Sequence, residues 1–249
     1  NIYLKFTHIF STIFDNYPKS KLNIEAELKK KQNKKFIFLT GMCRSSFIFV
    51  LEYLKIKYPK KNEILMCSYN LQEMVEIAIN KNFSLKLVDI DPLDGVMSIN
   101  SIKNSINEKT VCIIFTNMFN DSDILEKLRV LCKSRKIMFI EDNAIYLGNY
   151  TKKNDKIKYA GSYGDVSLLS FGIMKNYSAI YGGACLTSDI DLANYLKSRL
   201  ENLNKFRVDI YLKQITLFLI LKFLLSKYIY NIFFFSIIKY SELKNIKFI

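Results

Sequence analysis

Short apolar runs alternate with longer segments of helical periodicity through the middle of the chain. The short runs predict strands at 35–39, 63–67, 85–90, 111–116, 137–141, 165–171 and 184–187. The longer segments predict helices at 45–57, 71–80, 102–107, 122–134 and 189–203. Because strands that alternate with crossover helices form parallel sheets, we expect an α/β fold whose mostly parallel sheet carries helices on both faces.

The two ends of the chain depart from this alternation. Residues 1–34 have apolar positions at helical spacing and then the charged run from Glu25 to Lys34, which predict a helical segment and a solvated linker. Residues 206–249 are dense in Leu, Ile and Phe and predict an apolar helical extension. We therefore expect three parts, with the large domain at 35–205 between them.

The apolar extension raises the question of a membrane span. Lysines interrupt it, and its longest run without a charge, Tyr228 to Ile238, is shorter than the ~20 residues that cross hydrocarbon. Instead of a span, we expect helices that pack on the large domain, on a partner or, through 211–240, on a membrane surface. The remnant of a truncated domain is a further alternative.

Polar residues follow the predicted strands, where ligands bind in parallel sheets. They are Gly41, Cys43, Arg44 and Ser45, then Ser68, Tyr69 and Asn70, then Asn117, then Asp142 and Asn143, and finally Ser170 and Lys175. Arg44 and Ser45 open a helix, whose free N–H groups are suited to a phosphate. The alternative is a plain helix cap by Ser45 or Thr40.

Asp142 and Lys175 are the two strongest candidates for residues of a catalytic or cofactor-binding site. A carboxylate at the end of an apolar strand is costly to bury unless a cation meets it, and a protonated pyridine nitrogen is such a cation. The alternative for Asp142 is a cap or a salt bridge to a nearby lysine. Lys175 follows a strand, with Ser170 upstream and Gly182-Gly183 downstream, an arrangement able to hold an aldehyde cofactor. Its alternative is an ordinary solvated lysine.

Composition narrows the function classes. The net charge of +14 favours anionic ligands, but the lysines are spread through the chain and Arg is scarce, so we do not expect a nucleic-acid binder. Five widely spaced cysteines predict buried free thiols in a reducing compartment, hence a cytoplasmic protein with membrane contact as the alternative. The only histidine, His8, excludes a histidine-based triad or metal site, and we expect no metal.

Four motifs in order resemble the DegT/DnrJ/StrS family of pyridoxal-phosphate-dependent nucleotide-sugar aminotransferases. They are Glu141-Asp142-Asn143-Ala144, Gly161-Ser162-Tyr163-Gly164-Asp165, Ser170 to Lys175, and Gly182-Gly183-Ala184. The family patterns are E-D-A-A-Q, G-x-x-G-D, S-F-x-x-x-K and G-G-A. Residues 41–51 are also similar to the family's phosphate turn, Asp89 to Pro92 to its D-x-D-P, and 109–117 to a strand that ends in His. The resemblance covers about 36–205.

The resemblance implies a type I aminotransferase fold with a seven-stranded sheet, an obligate homodimer and pyridoxal 5'-phosphate. Lys175 would form a Schiff base with the cofactor and move the substrate proton. Asp142 would pair with the pyridinium nitrogen, and Ser170 would bind the phosphate. The turn at Cys43, Arg44 and Ser45 would add phosphate contacts. The implied reaction turns a nucleotide-linked keto-sugar into an amino-sugar with glutamate as donor, in polysaccharide biosynthesis.

Three expected cofactor-binding positions depart from the family pattern, and most of the family's C-terminal domain is missing. Ile145 replaces a Gln, Asn117 replaces the strand-end His, and Leu71 stands near the aromatic that stacks on the ring, with Tyr69 two residues away. These changes leave open a degenerate member that binds cofactor, sugar nucleotide or partners without turnover. A pyridoxal enzyme of another type, such as a dehydratase, is also open, although the retained Lys175 argues against the dehydratases that lack it.

Overall fold

A seven-stranded sheet is the centre of the computed structural model, which describes residues 17–93, 95–118, 122–153, 155–173, 175–203, 208–231, 235–236 and 239. The chain divides into two compact units. The described part of the first unit, up to residue 203, contains the whole sheet, and the described residues from 208 onward belong to the second. Each unit is described separately below.

The sheet contains β1 (Phe36–Thr40), β2 (Glu63–Cys67), β3 (Ser84–Val88), β4 (Thr110–Thr116), β5 (Met138–Asp142), β8 (Val166–Ser170) and β9 (Gly183–Thr187). Their spatial order is β1-β9-β8-β5-β4-β2-β3. A separate antiparallel hairpin is formed by β6 (Tyr150–Lys153) and β7 (Lys156–Tyr159). The helices of the first unit are α1 (Tyr17–Gln32), α2 (Cys43–Lys57), α3 (Gln72–Asn80), α4 (Ile99–Ser105), α5 (Ser122–Arg135) and α6 (Ile190–Glu201).

Strand directions decide where a ligand can bind. The pairs β3–β2, β2–β4, β4–β5 and β5–β8 are parallel, whereas β9 runs antiparallel to both β8 and β1. The carboxyl ends of six strands and the amino end of β9 therefore meet at one edge, called the carboxyl edge below. The predicted mostly parallel seven-stranded sheet is confirmed.

The inner strands of the sheet, β2, β4, β5, β8 and β9, are buried on both faces, which explains why they are largely apolar runs. Along β4, Cys112 and Ile114 join a core cluster that includes α2 and α6, while Ile113 and Phe115 join a second cluster. The second cluster includes α4 and α5, so helices cover the sheet on two sides. Alternate side chains of one strand thus serve two cores.

The charged run from Glu25 to Lys34 is not the solvated linker that its composition predicts. Most of it belongs to α1, whose Leu28 packs with a small apolar cluster against β1. Gln32 is fully buried, and Lys34 is only 9% exposed and donates a hydrogen bond to the carbonyl of Gly164. The prediction was wrong because a helix needs only a narrow apolar stripe to pack, and charges on its other faces hide that stripe.

Each strand and helix predicted for the large domain is present, with ends that shift by a few residues. The β6–β7 hairpin was not predicted. The five cysteines are free and buried, as predicted. The proposed division at 34 and 205 remains a prediction.

The second unit contains α7 (Val208–Leu224) and the short α8 (Lys227–Ile229). These helices fall where the apolar extension predicts helices. Among the described residues, no helix combines the length and apolar character that a membrane crossing requires. Which surface this unit packs on remains a prediction.

Candidate active site

A cavity of about 360 Å³ at the carboxyl edge contains both Lys175 and Asp142. Its wall comes from the ends of four neighbouring strands: Tyr69, Asn70 and Leu71 after β2, Thr116 and Met118 at β4, Asp142, Ala144 and Ile145 at β5, and Lys175 after β8. The rule that ligands lie beyond the strand ends therefore brings these residues together as expected. Thr116 and Met118 were not singled out from the sequence.

Asp142 is a buried carboxyl group with few partners of its own. It is 4% exposed, and its Oδ1 accepts a hydrogen bond from the N–H of Ala144 at 3.0 Å. Burial raises the pKa of Asp142, although that hydrogen bond and the charge of Lys175 act in the opposite direction. Among the described residues it forms no salt bridge, so a cation placed beside it in the cavity would stabilise its ionised form.

Lys175 is held by the loop that follows β8. Its backbone N–H donates to the carbonyl of Gly172 at 3.1 Å. The next residue, Asn176, donates from its side chain to the carbonyl of Ile145 at 2.7 Å, which ties the loop to the end of β5. A Cβ built on Gly172 would lie 3.8 Å from Ser170 Oγ and 3.9 Å from Lys175 Cγ, so the hydroxyl and the lysine stem approach the same point beside this glycine.

The turn between β1 and α2 lies directly on Gly183. Gly183 is paired with Thr40 on one side and with Ser170 on the other. A Cβ at Gly183 would be 2.3 Å from the backbone nitrogen of Cys43, so only glycine permits this approach. The start of α2 and Ser170 are thereby brought to the same place on the carboxyl edge.

No side chain caps the start of α2, where Met42 is the N-cap residue. Thr40 Oγ1 donates to the carbonyl of Met42 at 2.8 Å, and the N–H of Ser45 bonds to the same carbonyl. The alternative of a plain cap by Thr40 or Ser45 is therefore not observed. An uncapped helix N-terminus retains N–H groups that can bind an anion.

Cys43 and Arg44 differ in their relation to the site. The Cys43 thiol is buried, and burial together with the nearby Asp142 carboxylate raises its pKa well above the ordinary value. Arg44 is exposed, and its Nη1 donates to Glu73 Oε1 at 3.0 Å. Its guanidinium group is thus engaged by α3, and contacts with a phosphate at this turn would come from the backbone.

Leu71 and Ile145 provide apolar wall at the mouth of the cavity, where they are 56% and 42% exposed. Asn70 fixes the first of them, because its side chain donates to Thr116 Oγ1 at 3.0 Å and accepts from the N–H of Leu71 at 2.8 Å. Tyr69 lines the same cavity and is also exposed. An aromatic ring is therefore present at the rim, two residues from the expected position.

Asn117 does not line the cavity. Its side chain is fully buried and donates to Glu141 Oε2 at 3.1 Å and to Asn143 Oδ1 at 2.7 Å. Glu141, which the sequence marked only as part of a motif, also accepts from backbone N–H groups of the turn at 161–164. The sequence does contain a signal for this role of Glu141. It is a second carboxylate inside an apolar strand, with a glycine-containing turn later in the chain.

A sequence model of the DegT/DnrJ/EryC1/StrS aminotransferase family matches residues 9–207. The chain belongs to this family. The resemblance drawn from the four motifs is thereby confirmed, and so is the fold that it implies.

Similarity to individual relatives is more limited. GDP-perosamine synthase of Escherichia coli O157:H7 is 33% identical over 102 residues, which cover 41% of this chain and 27% of the relative. The structure of Helicobacter pylori PseC, an aminotransferase of pseudoaminic acid biosynthesis, matches with a TM-score of 0.62 and 20% identity over 71% of this chain and 46% of PseC.

The same fold is shared with a dehydratase. E. coli GDP-4-keto-6-deoxy-D-mannose-3-dehydratase with bound hydrated pyridoxal phosphate matches with a TM-score of 0.60 and 22% identity, over 70% of this chain and 44% of that enzyme. The chain spans less than half the length of each of these three proteins. An aminotransferase and a dehydratase therefore share this fold.

Proposed function

We propose that the chain carries the cofactor site of a pyridoxal-phosphate-dependent aminotransferase that converts a keto group of a nucleotide-linked sugar to an amino group. The observation that carries this proposal is the presence of Lys175 and Asp142 in one cavity of a chain that belongs to an aminotransferase family. A primary amine and a buried carboxylate are the two groups that such a cofactor needs at its opposite ends.

The residues present fit pyridoxal 5'-phosphate. Asp142 is buried, has a raised pKa and lacks a paired cation among the described residues, which suits it to a pyridinium nitrogen. The uncapped start of α2 lies against Gly183 beside Ser170 and suits a phosphate group. When bound, the cofactor supplies an aldehyde and an electron-withdrawing ring.

Each residue of the site has a distinct part in this proposal. Lys175, on the loop tied to Ile145 by Asn176, presents its amine to the aldehyde and later carries the proton of the substrate carbon. Asp142 holds the ring nitrogen in its protonated form by its negative charge. The N–H groups of the turn at Cys43 and the hydroxyl of Ser170 bind the phosphate, while Leu71 and Ile145 exclude water from the ring.

The finer features of the reaction are part of the same proposal. Glutamate as amino donor, a homodimer and a cytoplasmic location are the expectations that accompany the family. The shared domain with GDP-perosamine synthase and the sugar aminotransferase structures supports a nucleotide-linked sugar as substrate.

Reduction with borohydride tests the central claim. The purified chain is mixed with pyridoxal 5'-phosphate, reduced and digested, and mass spectrometry locates the modified lysine. We expect one dominant modification at Lys175, because no other lysine in the described part of the chain lines the cavity, and loss of the visible cofactor band in K175A. K197A, at an exposed position of α6, is the matched control and keeps both signals. Retention of the band in K175A would overturn the proposal.

Cofactor binding without turnover is a second candidate. It is favoured by Leu71 and Ile145, because neither side chain can supply the ring stacking or the hydrogen bond expected at these positions. Incubation of the cofactor-loaded chain with keto-sugar and glutamate separates the candidates. An amino-sugar product supports the aminotransferase, a deoxygenated keto-sugar supports a dehydratase, and a thermal stabilisation by cofactor with no product supports binding alone.

A further inference from the structure

Asn117 contacts three consecutive residues at the end of β5. Its backbone N–H donates to the carbonyl of Asp142 at 2.9 Å. Its side-chain Nδ2 donates to Glu141 Oε2 at 3.1 Å and to Asn143 Oδ1 at 2.7 Å. One fully buried residue therefore bonds to Asp142 and to both of its neighbours.

The two neighbours of Asp142 are themselves fixed from the other side. Glu141 accepts from the N–H groups of Gly161 at 2.9 Å and of Tyr163 at 2.7 Å. Asn143 donates from its side chain to Ser167 Oγ of β8 at 3.0 Å. We call Asn117, Glu141, Asn143 and Ser167 the Asn117 network, and all four residues are fully buried.

The orientation of the Asn117 amide follows from its surroundings. Nδ2 lies between two oxygen atoms, a carboxylate and an amide carbonyl, and both accept from it. The flipped amide would place Oδ1 against those oxygens and lose both bonds. The network therefore depends on a donor at this position and not merely on a side chain of this volume.

Asp142 lies between the two residues that the network holds, but its carboxyl group belongs to the cavity with Lys175. Its own side chain has one hydrogen bond among the described residues, from Ala144. The direction of this carboxyl group is therefore set largely by the backbone on either side of it. A shift at Glu141 or Asn143 would turn Asp142 relative to the cavity.

We propose that Asn117 is a positioning residue, which acts on the cofactor through Asp142 and does not touch the cofactor itself. The proposal rests on the proposed function, and it replaces the expectation that Asn117 contacts the cofactor directly. Asn117 stands where the family pattern has His, and Asn143 stands where it has Ala. Asn117 donates to Asn143 at 2.7 Å, so the two residues that differ from the family pattern contact each other directly.

Affinity for pyridoxal 5'-phosphate, measured by absorbance titration of the full chain, tests the proposal. N117D keeps the volume but replaces the donor by a carboxyl group beside Glu141. We expect about tenfold weaker cofactor binding, the effect of about one hydrogen bond, and a further loss as the pH rises and the introduced carboxyl group ionises. N143A leaves the bond from Asn117 to Glu141 in place but removes the acceptor for Asn117 and the donor to Ser167, and we expect a loss of about threefold.

I102V is the matched control, because Ile102 is buried in the core cluster of α4 and α5 and lies outside both the cavity and the network. We expect it to lower the thermal midpoint of the cofactor-free chain without changing cofactor affinity. If N117D likewise lowers only the midpoint, Asn117 is structural and the proposal is overturned. If N117D does not fold, N143A decides, and unchanged affinity in N143A overturns it.

The unsubstituted chain separates this proposal from the proposed function. If it forms no lysine-bound cofactor, the proposed function fails and the positioning role fails with it. If it binds the cofactor through Lys175 and the Asn117 and Asn143 variants bind equally well, only the positioning role is overturned. Weaker binding in both variants, at temperatures well below their thermal midpoints, supports it.

Discussion

Glu141 and Asp142 are adjacent in sequence and both are buried, yet they differ in the hydrogen bonds that their side chains accept. Glu141 accepts from three backbone N–H groups of the turn at 161–164 and from Asn117. Asp142 accepts from one backbone N–H among the described residues, and it lines the cavity. A buried carboxylate whose hydrogen bonds all come from the protein stabilises the fold. A buried carboxylate that can accept further hydrogen bonds is suited to binding a ligand.

The largest expected effect is on the free energy of unfolding, which should fall more when Glu141 is replaced than when Asp142 is replaced. We expect E141Q to lower the free energy of unfolding by about 3 kcal/mol, because an amide cannot accept all the hydrogen bonds that the carboxylate accepts in a buried site. We expect D142N, its matched variant, to change it by less than about 1 kcal/mol without cofactor. Urea denaturation of both variants measures the difference, and a larger loss in D142N would refute the comparison.

Substitutions of two glycines, Gly183 and Gly172, test how far cofactor binding depends on the backbone around the cavity. In G183A the added Cβ would meet the nitrogen of Cys43 at 2.3 Å, so the β1–α2 turn must move. We expect a loss of about 2 kcal/mol in stability and more than tenfold weaker cofactor binding, because the proposed phosphate site lies on this turn. G172A, whose Cβ would have ordinary contacts at 3.8 Å and beyond, is the control. Equal cofactor affinity in G183A and G172A would place the phosphate elsewhere.

The difference in the pH dependence of stability between the unsubstituted chain and D142N reports on Asp142. Burial raises its pKa, so between the unfolded and the folded values of this pKa the folded chain holds a proton that the unfolded chain has lost. The free energy of unfolding therefore falls as the pH rises through this interval. We expect D142N to remove this part of the decline. Urea midpoints of both cofactor-free chains from about pH 4 upward measure it, and parallel profiles would contradict it.

Arg44 gives the smallest expected effect. Its ion pair with Glu73 is exposed on both sides, so R44A should cost less than about 1 kcal/mol of stability. Cofactor affinity should change by less than about threefold if backbone groups of the turn bind the phosphate. Titration of R44A beside E73A, which removes only the partner, measures this. A tenfold loss in R44A alone would show that the guanidinium group reaches the cofactor.

The sequence predicts the sheet well because its inner strands are buried on both faces and appear as largely apolar runs. It also predicts that Asp142 and Lys175 meet, since both follow strands that end at the carboxyl edge. It does not predict that Arg44 pairs with Glu73 or that Asn117 bonds to Glu141, because such contacts depend on side-chain directions and not on periodicity. Nor does it give the reason for glycine at 183, which is the close approach of Cys43.

The pairing of β1 with β9, which are far apart in the sequence, has a consequence for the order of folding. The strands β1 and β9 lie at opposite ends of the large sheet's sequence, and closing so long a loop is slow compared with forming the parallel β2–β4–β5 pairs. The proposed phosphate site forms only after Gly183 has paired with Thr40 and Ser170. We expect a newly made chain to acquire affinity for its cofactor in the last step of folding, so that cofactor uptake reports on a completed sheet.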